Sequence, residues 1–237
     1  MAFYTHFKAV EQVKPIGLRA HVRNMVLTGL YYKYMLTSME AELSKPRIQF
    51  LYFHHLFKDE EKQLDTLIKR LSKNHEFLSY RDAVQMMLNR SIDKPYIVFS
   101  SDDGFKNNLV AADILKSHGI SVCFFINPGI TDVDDFSTIK QHCKSRLNFP
   151  PVEFMNWDDI HRLQSQGHEI GSHTMHHTNV AKMSEADFKR DVEETYAIIK
   201  SKCGDVQHFA YPYGRFYDFN DAARKTVFET GFTSCAT

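Results

Sequence analysis

The 237-residue sequence predicts an α/β fold built on a parallel sheet. Two observations carry that prediction. From residue 48 onward, short apolar runs alternate with helix-patterned segments, and chemistry-bearing polar residues fall where the apolar runs stop. Parallel strands need a crossover long enough for a helix, so strand–helix alternation argues for a parallel sheet covered by helices. Six such units over about 190 residues suit a barrel or an open doubly wound sheet.

The elements follow in order. Over residues 18–43, Val22, Met25, Val26, Leu30, Tyr34 and Met35 recur at helical spacing with Lys and Arg between them. This predicts a helix either packed on the main domain or lying against a membrane or partner surface. Pro46 then punctuates the chain, which divides it into an N-terminal helical extension (1–45) and a main domain (46–237). Strands are expected at 48–53, 96–101, 121–126, 169–172, 208–211 and 232–236, each a short apolar or β-branched run. Helices are expected between them at 60–72, 80–88, 107–118, 157–166, 184–202 and 218–229. The run Ser184-Glu185-Ala186-Asp187 reads as a helix start with an acid at its fourth position. Residues 130–156, rimmed by Pro128, Pro150 and Pro151, are expected to form an irregular excursion over one end.

Composition bounds the function. The chain is 43% hydrophobic, enough for a full core, and its 29 Lys and Arg balance 29 Asp and Glu. A neutral balance argues against a nucleic-acid partner. Cys123, Cys143, Cys203 and Cys235 show no paired spacing, and two of them lie in apolar runs, so reduced cysteines in a reducing compartment are expected. No charged, then apolar, leader opens the chain, and no window approaches 18 uncharged apolar residues. The expectation is a cytoplasmic protein, membrane-associated at most through its N-terminal helix.

The chemistry concentrates at the expected strand ends. Ile97-Val98-Phe99-Ser100-Ser101 reads as a buried strand that stops at Asp102-Asp103-Gly104. Two adjacent carboxylates repel each other unless a cation or proton intervenes. His173 and His177 follow a second apolar run, with His176 beside them as a competing ligand. One carboxylate with two imidazoles is a zinc-type ligand set that leaves a position open for water, and the other carboxylate is then free to act as a base. His54 and His55 follow the first strand; Pro212, Tyr213 and Gly214 follow the fifth. All lie at strand C-terminal ends, where barrels and doubly wound sheets hold their active sites. Trp157 reads as a packing residue, while Tyr211, Tyr213 and Phe216 suit either core packing or a sugar-stacking platform.

These residues resemble the motifs of the polysaccharide deacetylase (NodB-homology) family, carbohydrate esterase family 4. Ser100-Ser101-Asp102-Asp103-Gly104 is similar to its first motif, His173-Thr174-Met175-His176-His177 to its second, and Phe209-Ala210-Tyr211-Pro212-Tyr213-Gly214 to its third. The resemblance spans about residues 47–237. It implies a distorted (β/α) TIM-like barrel with fewer than eight strands, preceded here by the helical segment. It implies Asp102 as general base, Asp103, His173 and His177 as ligands of a divalent metal ion with zinc the first choice, and the Tyr213 backbone N–H as an oxyanion donor. The implied activity is hydrolytic removal of an N-acetyl group from an amino sugar in a polysaccharide or its glycolipid or nucleotide precursor. The alternatives are a catalytically silent carbohydrate-binding relative and a metallo-amidase acting on another amide. The sequence departs from the family pattern with Ser100-Ser101 where Thr-Phe is usual and with Ala210 where Arg is common. The family's closing segment, which carries a histidine acid, is expected to be missing after Thr237, so His54 or His55 is the candidate acid.

Overall fold

The computed structural model describes residues 2–14, 17–36 and 44–237. Seven strands form one parallel sheet: β1 (Arg47–Phe53), β2 (Glu76–Phe77), β3 (Pro95–Ser101), β4 (Val122–Ile126), β5 (Glu169–Ser172), β6 (His208–Ala210) and β7 (Ser234–Ala236). The order is β1-β3-β4-β5-β6-β7, and β2 pairs with the first half of β3 while β4 pairs with the second. Among the described residues no ladder joins β7 back to β1, so the sheet curls into a half-barrel open on one side. The helices are α1 (Phe7–Val13), α2 (Leu18–Leu36), α3 (Glu61–Leu71), α4 (Tyr80–Leu88), α5 (Asn108–Ser117), α6 (Phe136–His142), α7 (Trp157–Ser165), α8 (Glu185–Cys203) and α9 (Asp221–Thr230).

Strand alternation divides the core in two. Ile97, Phe99, Val122, Phe124, Ile170 and Phe209 face outward under Leu115, Leu163 and Val192 of the helices. Val98, Cys123, Phe125 and Ala210 face inward, where α4 plugs the barrel with Tyr80, Ala83 and Val84. Gly171 makes this layer possible: a Cβ there would lie 2.5 Å from the Phe125 ring and 3.0 Å from the His208 carbonyl oxygen. The N-terminus of α4 is clamped to the sheet. The Glu169 carboxylate accepts from the backbone N–H groups of Tyr80 (2.8 Å) and Arg81 (3.2 and 3.3 Å). It also lies 3.3 Å from His208 Nε2. The four cysteines are free thiols.

Several features differ from the sequence expectation. Helix α1 carries too short a period to be read from sequence, yet Val10 is buried with Phe57, Phe105, Ile130 and Ile139 in a further core. Asp59 holds its start by accepting from the N–H groups of Phe7 (2.7 Å) and Lys8 (3.2 Å). Residues 130–156, expected to be irregular, contain α6 and a π-helical turn, Cys143–Leu147. Asp135 caps α6 by accepting from the Thr138 N–H. Helix α9 starts at Asp221 rather than 218, because Asn220 caps it and Asp218 instead accepts from Asn179 and the Arg215 N–H. Helix α2 ends at Leu36, and residues 37–43 of the expected helix lie outside the described residues. Its Leu18, Met25, Val26, Leu27, Tyr31 and Tyr32 are each more than half exposed, so these side chains are not packed on the domain. Among the described residues no helix is long and apolar enough to cross a membrane.

Candidate metal centre and active-site cavity

Strand β3 delivers Asp103 and β5 delivers His173 to the same end of the sheet, and the turn after β5 brings round His177. Asp103 Oδ1 lies 3.5 Å from His173 Nε2 and 3.3 Å from His177 Nε2. All three side chains are buried, and their ligand atoms lie within 4.8 Å of one another. His173 Nδ1 sits 2.8 Å from the Ala210 carbonyl oxygen. A carbonyl only accepts, so Nδ1 carries the proton and Nε2 presents its lone pair toward Asp103. Asp103 Oδ1 is buried and receives no hydrogen bond. Burial, with the Asp102 charge adding, pushes the Asp103 carboxyl well above the usual carboxylate range. Burial likewise holds His173 down at about 4 and His177 at about 2, so both imidazoles are neutral at pH 7. A buried carboxylate oxygen that accepts no hydrogen bond, the His173 Nε2 lone pair and the neutral His177 ring with Nε2 3.3 Å away together fit a divalent cation.

The backbone is bent to achieve this. Asp103 (φ 71°), Thr174 (φ 64°), His177 (φ 52°) and Tyr213 (φ 70°) all occupy the left-handed region. Such conformations cost L-residues energy and persist where the surroundings over-determine them. Asn127, at the end of β4, supplies one determinant: its Nδ2 donates to the carbonyls of His173 and Thr174. The sequence signal for Asn127 is its place at a strand C-terminal end, directly after the apolar run of β4. His176 is exposed and outside the cluster.

A cavity of about 550 Å³ opens over the cluster, lined at this end by His54, Asp102, His173, His177 and Tyr213. Burial raises Asp102 to about 6, against the opposing pull of His54. Burial lowers His54, against the pull of Asp102. The sequence could not separate His54 from His55, and the structure does. Successive residues leave a strand on opposite sides. His54 faces the cavity, while His55 stacks on Phe149 (4.4 Å between centroids) and packs on Phe105 (4.1 Å). That apolar setting holds His55 at about 3. Asn108 donates to the His54 carbonyl (2.8 Å) and to Ser101 Oγ (2.7 Å), tying the two strand ends together. Its only trace in the sequence is a polar pair, Asn107-Asn108, opening an otherwise apolar helix.

Tyr213 stands at the cavity mouth with its ring 4.8 Å from His177 and its hydroxyl donating to the Arg146 carbonyl at 2.8 Å. Its backbone N–H donates to no acceptor among the described residues. Tyr211 is core, stacked on Phe219 at 4.7 Å, and Phe216 is 87% exposed. Trp157 opens α7 and packs against the main core, under the Lys202 ammonium.

Residues 89–235 match the family model for polysaccharide deacetylases, well over half of the 237-residue chain. The chain belongs to the polysaccharide deacetylase family. The matched segment includes Asp102, Asp103, His173, His177 and Tyr213 and leaves His54 outside. A curated relative, the chitooligosaccharide deacetylase of Sinorhizobium fredii, is 27% identical over 130 residues, which are 52% of this chain and 49% of the relative. The chain therefore spans about half the length of that relative. Among solved structures, IcaB from Ammonifex degensii superposes with a TM-score of 0.68 at 18% identity, over 79% of this chain and 82% of that one. The Streptococcus pyogenes deacetylase PplD, in complex with acetate, gives 0.63 at 16% identity over 80% and 83%. Likeness at that identity establishes the shared fold.

Proposed function

We propose that this protein is a metal-dependent hydrolase that removes an N-acetyl group from an amino sugar in a polysaccharide or its precursor. The observation that carries the reading is the buried Asp103 oxygen, unpartnered and 3.3–3.5 Å from two imidazole Nε2 atoms, beside a second carboxylate in an open cavity. Asp103, His173 and His177 would hold a divalent ion, and zinc suits one carboxylate with two imidazoles. When bound, the ion would supply Lewis acidity toward water and the acetyl carbonyl.

The remaining work belongs to the chain's own groups. Asp102 takes a proton from the attacking water as its oxygen bonds to the acetyl carbon. The Tyr213 N–H donates to the carbonyl oxygen as negative charge builds there. His54 gives a proton to the nitrogen as the C–N bond breaks, so a free amine and acetate leave. His54 takes this role rather than His55 because it shares the cavity with Asp102. The test is acetate release from a panel of N-acetylated glucosamine oligomers by the metal-loaded protein. No release from any member, with metal content verified, would overturn the reading.

A further inference from the structure

Two loops that leave the neighbouring strands β5 and β6 meet at the site, and one buried carboxylate grips both. The turn after β5 carries His177 and the loop after β6 carries Tyr213, each in the left-handed region. Asp218 is 4% exposed and divides its two oxygens between these loops. Its Oδ1 accepts from Asn179 Nδ2 at 2.6 Å, and its Oδ2 accepts from the Arg215 N–H at 3.2 Å. The backbone repeats the link. The Asp218 carbonyl oxygen accepts from the Ala181 N–H at 3.0 Å, and the Asp218 N–H donates to the Arg215 carbonyl oxygen at 2.8 Å. Asn179 lies two residues past His177, and Arg215 lies two residues past Tyr213. Two residues reach about 7 Å at most, so each grip sits at the end of a short tether to a site residue. The loops also touch directly, with the Tyr213 and His177 rings 4.8 Å apart between centroids.

We propose that Asp218 is a positioning residue that locks the Tyr213 loop to the metal-ligand turn, fixing the spacing between the Asp–His–His cluster and the Tyr213 N–H. The inference rests on the deacetylase reading for the role of that N–H and extends it to a residue outside the cluster. Left-handed backbone at non-glycine residues persists where its surroundings over-determine it. Asn127 holds the start of the metal-ligand turn through the carbonyls of His173 and Thr174. Asp218 holds the far end of that turn and ties the Tyr213 loop to it. A carboxylate suits this post because it accepts on both oxygens, and both groups facing it are N–H donors. Without it, Asn179 Nδ2 and the Arg215 N–H lose their acceptor, and the two loops lose their side-chain link. Oxyanion donors act through preorganisation, and partners behind metal ligands tune affinity, so loss of the lock should register in both rate and metal binding.

The experiment compares the full chain with four variants, each assayed well below its melting temperature. Asp218→Ala removes both side-chain links. Asn179→Asp sets carboxylate against carboxylate. Adding Asp218→Asn to Asn179→Asp reverses donor and acceptor and restores the parental net charge. Asn220→Ala is the control: it removes the cap that accepts from the Ala223 N–H at 2.8 Å, destabilises α9 and leaves the contacts of Asp218 in place. Three readouts are taken: Kd for Zn²⁺ by chelator competition, hydrogen exchange at the Ala181 and Arg215 amides, and kcat and KM for acetate release. Asp218→Ala and Asn179→Asp should weaken zinc binding on the order of tenfold and speed exchange at both amides. They should also lower kcat on the order of tenfold or more with little change in KM, since the N–H acts on charge that develops in the transition state. The double variant should return zinc affinity and kcat to within about threefold of the parent, and the control should match the parent in both. Parental zinc affinity and kcat in Asp218→Ala would overturn the inference. So would a double variant as impaired as Asn179→Asp, a comparison that decides the matter even if Asp218→Ala does not fold. If the parent releases no acetate, the deacetylase reading falls alone, and zinc affinity with amide exchange still decides the role of Asp218.

Discussion

Replacing Glu169 by Ala should loosen α4 from the sheet and lower the melting temperature substantially. The carboxylate accepts from two backbone N–H groups of the first turn of α4 at 2.8–3.3 Å and lies 3.3 Å from His208 Nε2. Its side chain is only 16% exposed, so solvent screens these contacts little. Hydrogen bonds to a charged acceptor are worth about 1.5–3 kcal/mol each. A carboxylate at a partly buried helix N-terminus adds up to about 2 kcal/mol, largely through the same contacts. The two contributions overlap, so the expected loss is about 2–4 kcal/mol rather than their sum. For a chain of this size that corresponds to roughly 5–15 °C. Glu169→Gln keeps one acceptor oxygen and should lose about half as much. Circular dichroism melting in excess chelator is the assay, because bound metal would shift the transition by mass action. Hydrogen exchange at residues 80–84 should accelerate in parallel. A Glu169→Ala melting point within a degree of the parent would refute the clamp.

Four other outcomes are expected. His173→Ala should lower the bound divalent metal, measured by elemental analysis against the parent; equal content in both would sink the ligand assignment. Asp102→Asn should retain metal and lose on the order of 10²–10⁴ in kcat, since an amide keeps the shape but takes no proton. His54→Gln should slow acetate release on the order of 10²-fold or more, whereas His55→Phe, inside its aromatic cluster, should stay near parental activity. The metal-free protein should lose stability to urea as pH falls below about 6.5. There the unfolded chain protonates His55, His173 and His177, which burial holds at about 3, 4 and 2 in the folded state. Asp102 and Asp103, raised by burial, keep protons in the folded state and oppose the trend, but two carboxyls against three imidazoles leave a net loss. Stability that rises between pH 6.5 and 5 would contradict the assignment of these histidines as buried and neutral.

Much of the sheet was legible because each major strand is a short apolar run stopped by polar residues. The expected strand at 169–172 coincides with β5, and the one at 96–101 differs from β3 by a single residue. Strand β2 was not legible: two residues carry no period, and only the β3 edge gives them a partner. The Asp-Asp and His pairs were visible as residue types at strand ends, but their meeting point depends on β3, β4 and β5 being consecutive neighbours, which is a property of the folded sheet. The parity of β1 already separates His54 from His55, yet which face of β1 is inward follows only from its pairing with β3. The cavity lining was hidden for a related reason. Phe50, Tyr52, Val84 and Leu88 look like ordinary core residues in sequence, and their common place in one cavity lining follows only from the packing of β1 beside α4.

The left-handed residues around the cluster set the terms on which this protein can evolve. Asp103, Thr174, His177 and Tyr213 each hold a conformation that glycine would adopt freely. At about 1–3 kcal/mol of strain apiece, glycine at any of these positions would relieve backbone strain, and at Asp103 and His177 it would also remove a side chain of the Asp–His–His cluster. A copy of the gene with no use for a metal at this cluster would therefore drift toward glycine or asparagine at Asp103 and His177 first, growing sturdier as the cluster is lost.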